Sequence, residues 1–240
     1  MEKSEKRIEI VKNGPYLVFG NIPLDKVFIL PDVNYDRKVV NSKWGKTEKI
    51  KTNQTYSLCR CGASKTHPFC DGTHTKVNWN SKETADFDKI LETSSIYESK
   101  NLIMHDKGEL CFGAGFCHNK SGSIWEFIES KDTKYDKTIK QMSDDCPAGR
   151  FVLIDKKTNK VISPNFSPSI SSIEEVRKSV SGPLWVKGNI EVISQDKKKS
   201  YEKRDSVTLC RCGKSNNTPF CDGQHAIDKW TDGDKSLKNE

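Results

Sequence analysis

Residues 57–74 read SLCRCGASKTHPFCDGTH and residues 208–225 read TLCRCGKSNNTPFCDGQH. Their cysteines, a serine, a Pro-Phe pair, Cys-Asp-Gly and the final histidine align without a gap. Upstream of each copy, residues 13–24 and 181–192 place a Gly-Pro turn before β-prone residues that end at Gly-Asn. The repeat unit is therefore a strand-rich segment followed by a cysteine motif, and the first copy carries an insertion around Val27 to Thr52.

The composition excludes several classes of protein. Within 240 residues no run approaches about 18 apolar residues, so we expect no membrane span. The charged start, Met1 to Val11, lacks the apolar core of a secretion signal. Nine cysteines without such a signal favour metal or redox chemistry in a reducing compartment over disulfides, and we expect a cytoplasmic protein. The net charge is +7, but the basic residues are scattered among acidic ones, so no nucleic-acid partner is expected.

Each repeat offers a complete soft ligand set for a small metal centre, three thiolates and one imidazole. The candidate ligands are Cys59, Cys61, Cys70 and His74 in the first copy, and Cys210, Cys212, Cys221 and His225 in the second. The one-residue spacer in Cys-x-Cys is tight for a single zinc ion, although a zinc-stapled loop stays an alternative. Asp71 and Asp222 are expected to cap short helices whose first turn brings the third cysteine and the histidine to one face.

The pattern C-x-C-x₂-S-x₃-P-x-C-D-G-x-H resembles the CDGSH iron–sulfur, or NEET, family. The resemblance implies one [2Fe–2S] cluster per motif with three cysteine ligands and one histidine. It also implies that Cys70 with His74, and Cys221 with His225, hold the more exposed iron. Gln224 departs from the Ser, Ala or Thr usual in the family, which concerns hydrogen bonding around the cluster rather than its ligands.

A histidine ligand allows two kinds of function. Neutral imidazole in place of thiolate raises the reduction potential, as in Rieske centres, which suits electron transfer. An imidazole can also take up a proton that competes with iron, which suits release of the cluster or sensing of pH. Arg60 and Arg211 lie between the paired cysteines, where they either tune the potential of an anionic cluster or point into solvent.

The three remaining cysteines lie between the repeats. Residues 111–117 read CFGAGFC, and Cys146 precedes Pro147. This arrangement fits a bacterial ferredoxin loop in which Ala114 replaces the middle cysteine. A helix is predicted to end at Cys146, because apolar residues recur at helical spacing before it, and residues 151–154 and 160–162 predict a hairpin.

This middle segment resembles single-cluster ferredoxins and the divergent ferredoxin-like domain found beside CDGSH motifs. The resemblance implies that Cys111, Cys117 and Cys146 hold a [3Fe–4S] cluster, or a [4Fe–4S] cluster with a non-cysteine fourth ligand. His118 and Asp145 are the nearby candidates for that ligand. The alternative is three reduced cysteines in a domain that has lost its cluster.

The expected fold is α+β, with two small β-rich CDGSH modules (1–95 and 168–240) flanking a ferredoxin-like domain (96–167). Residues 165–172, NFSPSISS, are typical of a linker. The two repeats are expected to pair as a pseudo-dimer within one monomer, with a homodimer as the alternative. No catalytic constellation is found, so we expect a carrier rather than an enzyme.

Three hypotheses of function follow. The first is electron transfer with a redox partner protein. The second is transfer of iron or a cluster to an apo-acceptor, or redox and pH sensing, through labile histidine-ligated clusters. The third is a zinc-binding interaction module.

Overall fold

The computed structural model describes residues 5–33 and 39–238. Within these ranges the chain is rich in sheet and poor in helix. The strands are β1 Arg7–Ile10, β2 Tyr16–Phe19, β3 Leu24–Val33, β4 Val39–Ile50, β5 Tyr56–Leu58, β6 Ser95–Glu98, β7 Leu102–Asp106, β8 His118–Asn119, β9 Gly122–Ser123, β10 Phe151–Asp155, β11 Lys160–Ile162, β12 Ser169–Glu175, β13 Val180–Lys187, β14 Glu191–Ile193 and β15 Ser206–Leu209. The α-helices are α1 Ile90–Thr93, α2 Ile124–Glu129, α3 Asp136–Asp145 and α4 Gln224–Ile227, and 3₁₀ helices are found at Thr73–Thr75, Gly108–Leu110, Thr133–Tyr135, Val176–Lys178 and Lys235–Lys238.

Each repeat lends one strand to the sheet of the other. One sheet has the order β14-β1-β2-β5, in which β14 of the second repeat lies parallel to β1. The larger sheet has the order β15-β13-β12-β3-β4, in which β3 of the first repeat lies parallel to β12. β14 and the start of β3 follow the matching Gly-Asn breaks of the two copies, so the exchange is reciprocal. Neither repeat can complete its sheet alone, and the two therefore form one folded unit.

The insertion in the first repeat forms a long hairpin. β3 and β4 pair antiparallel along this hairpin, and its residues 34–38 lie outside the described ranges. Trp44 on β4 stacks between Phe116 and Trp185, with ring centroids 4.6 and 4.5 Å away respectively. The insertion therefore joins the larger sheet to the cysteine loop of the middle segment.

The middle segment builds its own sheet, β11-β10-β7-β6, on which α2 and α3 pack. α2 begins with a capping box, in which Ser123 accepts from the backbone of Glu126 and Glu126 accepts in return. α3 buries Ile139 and Met142 and ends with Cys146 as its C-terminal cap, which confirms the predicted helix. The predicted hairpin is confirmed as well, since β10 and β11 pair antiparallel.

The expectation of a linker at 165–172 is wrong. Residues from Ser169 onward form β12, a buried strand between β13 and β3. Ser171 and Ser172 are almost fully buried, and Lys187 donates a hydrogen bond to the Ser171 hydroxyl. Consecutive residues of a strand face opposite sides of its sheet, so both sides of β12 are covered here, although the polarity of the serines indicates a loop.

The architecture is α+β in the coarse sense that sheets dominate and short helices are added to them. The bounds 1–95, 96–167 and 168–240 stay a prediction. Among the described residues every helix is too short or too polar to span a bilayer.

Candidate functional site

The first repeat places its four candidate ligands as two close pairs. Cys59 and Cys61 lie with their sulfur atoms 3.8 Å apart, directly after β5. The Sγ of Cys70 lies 3.3 Å from Nδ1 of His74. Backbone hydrogen bonds join the two parts of the loop, because the Cys59 N–H donates to the Pro68 carbonyl at 2.8 Å.

The second repeat reproduces this geometry. The sulfur atoms of Cys210 and Cys212 lie 3.6 Å apart, and Sγ of Cys221 lies 3.3 Å from Nδ1 of His225. The Cys210 N–H donates to the Pro219 carbonyl at 2.8 Å. The two sequence copies therefore fold into two copies of one loop.

The expected aspartate caps are wrong by one residue. The residues that begin the short helices are Gly72 and Gly223, both left-handed, with φ of 85° and 90°. Asp71 precedes this position and accepts hydrogen bonds from the backbone N–H groups of Lys65 and Thr73, which lower the pKa of its carboxyl well below the usual range. Its role is to close the loop across the third cysteine rather than to cap a helix.

The pairing of donors distinguishes between kinds of metal group. In a tetrahedral zinc site with bonds near 2.3 Å, every pair of sulfur donors lies about 3.8 Å apart. Within the described residues, no three cysteine or histidine donor atoms of either repeat all lie within 4.8 Å of one another, whereas carboxylate oxygens of Glu174, Asp232 and Asp234 do. Each repeat thus holds two donors at one side and two at the other, an arrangement that fits a group with two metal ions.

The two cysteine loops contact each other through glycine backbone. A Cβ added to Gly62 would lie 2.2 Å from the carbonyl oxygen of Cys212, and one added to Gly213 would lie 2.5 Å from that of Cys61. Both glycines have positive φ. The Cys-x-Cys ends of the two repeats are therefore packed against each other across the pseudo-twofold arrangement.

Arg60 and Arg211 are buried, which contradicts the second of the two alternatives, that they point into solvent. Each donates from Nε to the carbonyl of the Gly-Pro turn in its own repeat, Gly14 or Gly182. Each guanidinium also lies over a tryptophan that follows the motif histidine by five residues; these are Trp79 at 4.9 Å and Trp230 at 5.3 Å. The arginine thus ties the cysteine loop to the start of its repeat.

The partners of the two arginines differ in charge. Arg211 forms ion pairs with the buried Glu174 at 2.7 Å and with Asp232 at 2.5 Å. Arg60 donates its remaining bonds to the carbonyls of Ser81 and Val11, and no carboxylate in the described part of the chain pairs with it. The first loop consequently keeps an uncompensated cation, whereas acids neutralise the cation of the second.

Burial keeps most of the candidate thiols protonated without metal. It raises the pKa of Cys61 to about 11, and it raises that of Cys70 and Cys221 as well. Cys210 differs from these three, because a hydrogen bond from the Cys212 thiol lowers its pKa. Because thiolate is the form that binds metal, loading either site must release protons.

The raised pKa of Glu174 predicts that the stability of the fold depends on pH, and that Glu174→Gln removes this dependence. Burial raises the pKa of this carboxyl to about 6, although Arg211 opposes the shift. A carboxyl with a raised folded pKa stabilises the fold fully below its unfolded pKa of about 4.5, and this contribution is lost as pH rises through about 6. We expect the free energy of unfolding, measured relative to Glu174→Gln, to fall by about 2 kcal/mol between pH 4 and pH 7.

Urea unfolding of both proteins at several pH values checks this prediction. The matched control is Glu109→Gln, at an exposed side chain, which should follow the native protein across the whole range. A difference between the native protein and Glu174→Gln that is constant with pH would contradict the prediction.

The three middle cysteines are brought to one small cavity. Cys111, Cys117 and Cys146 line it together with Ala114 and Gly115 of the Gly-Ala-Gly run. Of the two candidate fourth ligands, His118 lies with Nδ1 3.2 Å from Sγ of Cys117, whereas Asp145 accepts a hydrogen bond from Gln141. Burial raises the pKa of Cys146 to about 12, so this thiol too is protonated without metal.

Sequence reasoning missed the residues that surround His225. Nε2 of His225 lies 2.5 Å from Glu175, and Glu175 pairs with Lys178 at 2.5 Å. Lys178 in turn donates to the carbonyl of Gly113 in the middle segment. No spacing rule signals Glu175 or Lys178, because Glu175 ends β12 and Lys178 ends the 3₁₀ helix that follows it, both far from His225 in the sequence. The ring centroid of Phe112 lies 6.0 Å from that of His225. Phe112 follows Cys111 in the motif CFGAGFC, so the sequence marks this residue as part of a cysteine loop, although not as a neighbour of His225.

Comparison with known families agrees with this geometry. The family described as iron-binding zinc finger, CDGSH type, matches residues 13–75 and 181–226. The family described as divergent 4Fe-4S mono-cluster matches residues 97–156. Searches of curated proteins and of solved structures found no match. The chain is therefore an iron–sulfur protein in which two CDGSH-type segments flank a divergent 4Fe–4S segment.

Proposed function

We propose that the protein carries electrons between iron–sulfur clusters and a redox partner protein. The observation that carries the proposal is the arrangement of each repeat's donors as two separate pairs, Cys with Cys and Cys with His. Each set would hold one [2Fe–2S] cluster, which supplies one-electron redox chemistry when bound. The cysteine pair would ligate one iron, and the cysteine–histidine pair the other.

The middle segment would hold a third cluster. Its three free cysteines line one cavity, and the glycines around them let backbone N–H groups approach sulfur closely. A [3Fe–4S] cluster needs no further protein ligand. The position of His118 beside Cys117 supports it over Asp145 as the fourth ligand of a [4Fe–4S] cluster.

The contacts between the sites favour electron transfer over the alternatives. The two repeat loops touch through Gly62 and Gly213, and the middle loop touches the second repeat through Phe112. Such contact suits passage of electrons among centres in one chain. The partial exposure of Cys61 and Cys70 supports the second candidate, transfer of a cluster to an apo-acceptor.

Other parts of the proposal follow from the same observations. The reciprocal exchange of β3 and β14 supports a monomer that contains its own pseudo-dimer. All nine cysteines are free, which supports a reducing compartment such as the cytoplasm. We further infer a carrier rather than an enzyme.

Iron and acid-labile sulfide, measured on anaerobically purified protein together with EPR spectra, test the proposal. We expect the iron and sulfide content per chain to account for two [2Fe–2S] clusters and a third cluster. Zinc alone would contradict it and favour an interaction module. Reversible reduction in place supports electron transfer, whereas transfer of iron to an apo-ferredoxin would support the second candidate.

The histidine ligands predict acid lability. We expect the visible absorption of His74→Cys/His225→Cys to persist to a pH about one unit lower than in the native protein, because thiolate leaves no imidazole to protonate. Absorbance followed through an acid titration measures this. His105→Cys, at a histidine outside the repeats, is the control and should behave as the native protein does. Equal loss of colour in all three proteins would sink the prediction.

A further inference from the structure

We propose that the middle segment closes the second repeat site, so that only the first repeat site exchanges its cluster with an acceptor protein. This inference rests on the proposed clusters of the two repeat sites, and it concerns the second candidate function, transfer of a cluster to an apo-acceptor. The two motifs align without a gap and their loops have the same internal geometry. A difference between them must therefore come from what packs against each loop.

The burial of the two ligand sets differs. In the second repeat Cys212 is 5% exposed, Cys221 is 2% exposed and His225 is 1% exposed. In the first repeat Cys61 and Cys70 are partly exposed, and so is His74. An acceptor can reach the outer donor pair of the first site directly, and it cannot reach that of the second.

The glycines of the two Cys-Asp-Gly turns identify the cover. A Cβ added to Gly72 would meet no atom of the described residues within 4 Å. A Cβ added to Gly223, in the equivalent turn, would lie 3.1 Å from the carbonyl oxygen of Phe112 and 3.3 Å from its Cα. The backbone of the middle cysteine loop therefore lies directly on the turn of the second site. The equivalent turn of the first site has no such cover among the described residues.

Side-chain contacts hold the middle cysteine loop against His225. The ring of Phe112, itself buried, packs against the imidazole of His225. On its other side, Nε2 of His225 contacts Glu175, which pairs with Lys178, and Lys178 donates to the carbonyl of Gly113 at 2.8 Å. For His74, the contact found within the described residues is the one with Cys70. One histidine is thus clamped between two elements and the other is not.

Exchange at the first site needs only ligand substitution. Thiolates of the acceptor replace the three thiolates and the imidazole of the first repeat one for one. The acceptor's four thiols give up four protons, of which three pass to the released thiolates and one to the released imidazole, and no electron is transferred. The same substitution at the second site would first have to displace Phe112 and break the link between Glu175 and Lys178.

Loss of iron to a chelator, followed by the visible absorption of the loaded protein, tests the inference. We expect two phases for the repeat sites with rates that differ by roughly tenfold or more. Cys70→Ser should remove the fast phase, and Cys221→Ser the slow one. Phe112→Ala and Lys178→Ala should each speed the slow phase, whereas Phe112→Leu and Lys178→Arg should keep it slow. Lys65→Ala, at an exposed lysine of the first loop, is the matched control and should change neither phase.

Alkylation of the metal-free protein gives an independent measurement by mass spectrometry. Cys61 and Cys70 should react faster than Cys212 and Cys221, and Lys178→Ala should raise reaction at Cys221 alone. Equal rates for the two sets, or a slow phase that the Phe112 and Lys178 variants leave unchanged, would overturn the inference. A preparation without iron and sulfide would instead overturn the proposed function, so the two failures are distinguishable.

Discussion

Gly62→Ala and Gly213→Ala should each destabilise the fold by about 3 kcal/mol and impair both repeat sites at once. The added methyl group would lie 2.2 Å from the Cys212 carbonyl oxygen in one case and 2.5 Å from that of Cys61 in the other. These atoms are backbone and cannot rotate away. Because the displaced carbonyl belongs to a candidate ligand of the opposite repeat, a substitution in one loop disturbs the other. Iron per chain and thermal unfolding measure the two effects.

Gly72→Ala is the matched control for this prediction. Gly72 also has a positive φ, 85°, and in the part of the chain that the structure describes a methyl group there meets no atom within 4 Å. It should cost only the backbone strain, about 1 kcal/mol, and leave the iron content of the second site unchanged. If Gly72→Ala lost as much iron as Gly62→Ala, the cause would be backbone strain and the contact between the loops would have no role.

The repeat could be found in the sequence because the two copies share their cysteines, the Pro-Phe pair, Cys-Asp-Gly and the final histidine at the same spacing. The motif spacing correctly placed Cys70 beside His74 and Cys221 beside His225. The helix that ends at Cys146 was also predictable, since apolar residues at helical spacing report on local structure. In each of these cases, the residues that form the pattern and the structure that they predict lie within a few positions of each other in the sequence.

The exchange of strands between the repeats could not be predicted in the same way. β14 pairs with β1 and β3 pairs with β12, residues that are far apart in the chain, and no local pattern selects the partner. The serine-rich stretch 165–172, whose second half begins β12, is typical of a linker by composition, but burial by strands distant in sequence decides its structure. The difference between the two sites depends on such contacts too, since Glu175 contacts His225 although the two residues lie 50 positions apart in the sequence.

Arg211→Leu is the second substitution for which we expect a large effect, a destabilisation of about 3–5 kcal/mol at pH 7. The guanidinium is fully buried and is the partner of both Glu174 and Asp232. Leucine replaces much of its volume, so the main cost is that two buried carboxylates lose their cation. Arg60→Leu should cost less, about 2 kcal/mol, because the acceptors that Arg60 leaves behind are neutral carbonyls. Urea unfolding of the two variants measures the difference.

The charge of Glu174 provides the control that separates this cause from lost packing. If the unpaired carboxylate carries the cost, adding Glu174→Gln to Arg211→Leu should recover part of the stability, and lowering the pH should recover stability in the single variant, since protonation removes the buried charge. Glu174→Gln added to Arg60→Leu should give no such recovery, because Arg60 has no carboxylate partner within the described residues. Equal costs for the two arginine variants, or no recovery on removing the Glu174 charge, would mean that the arginines act through packing alone.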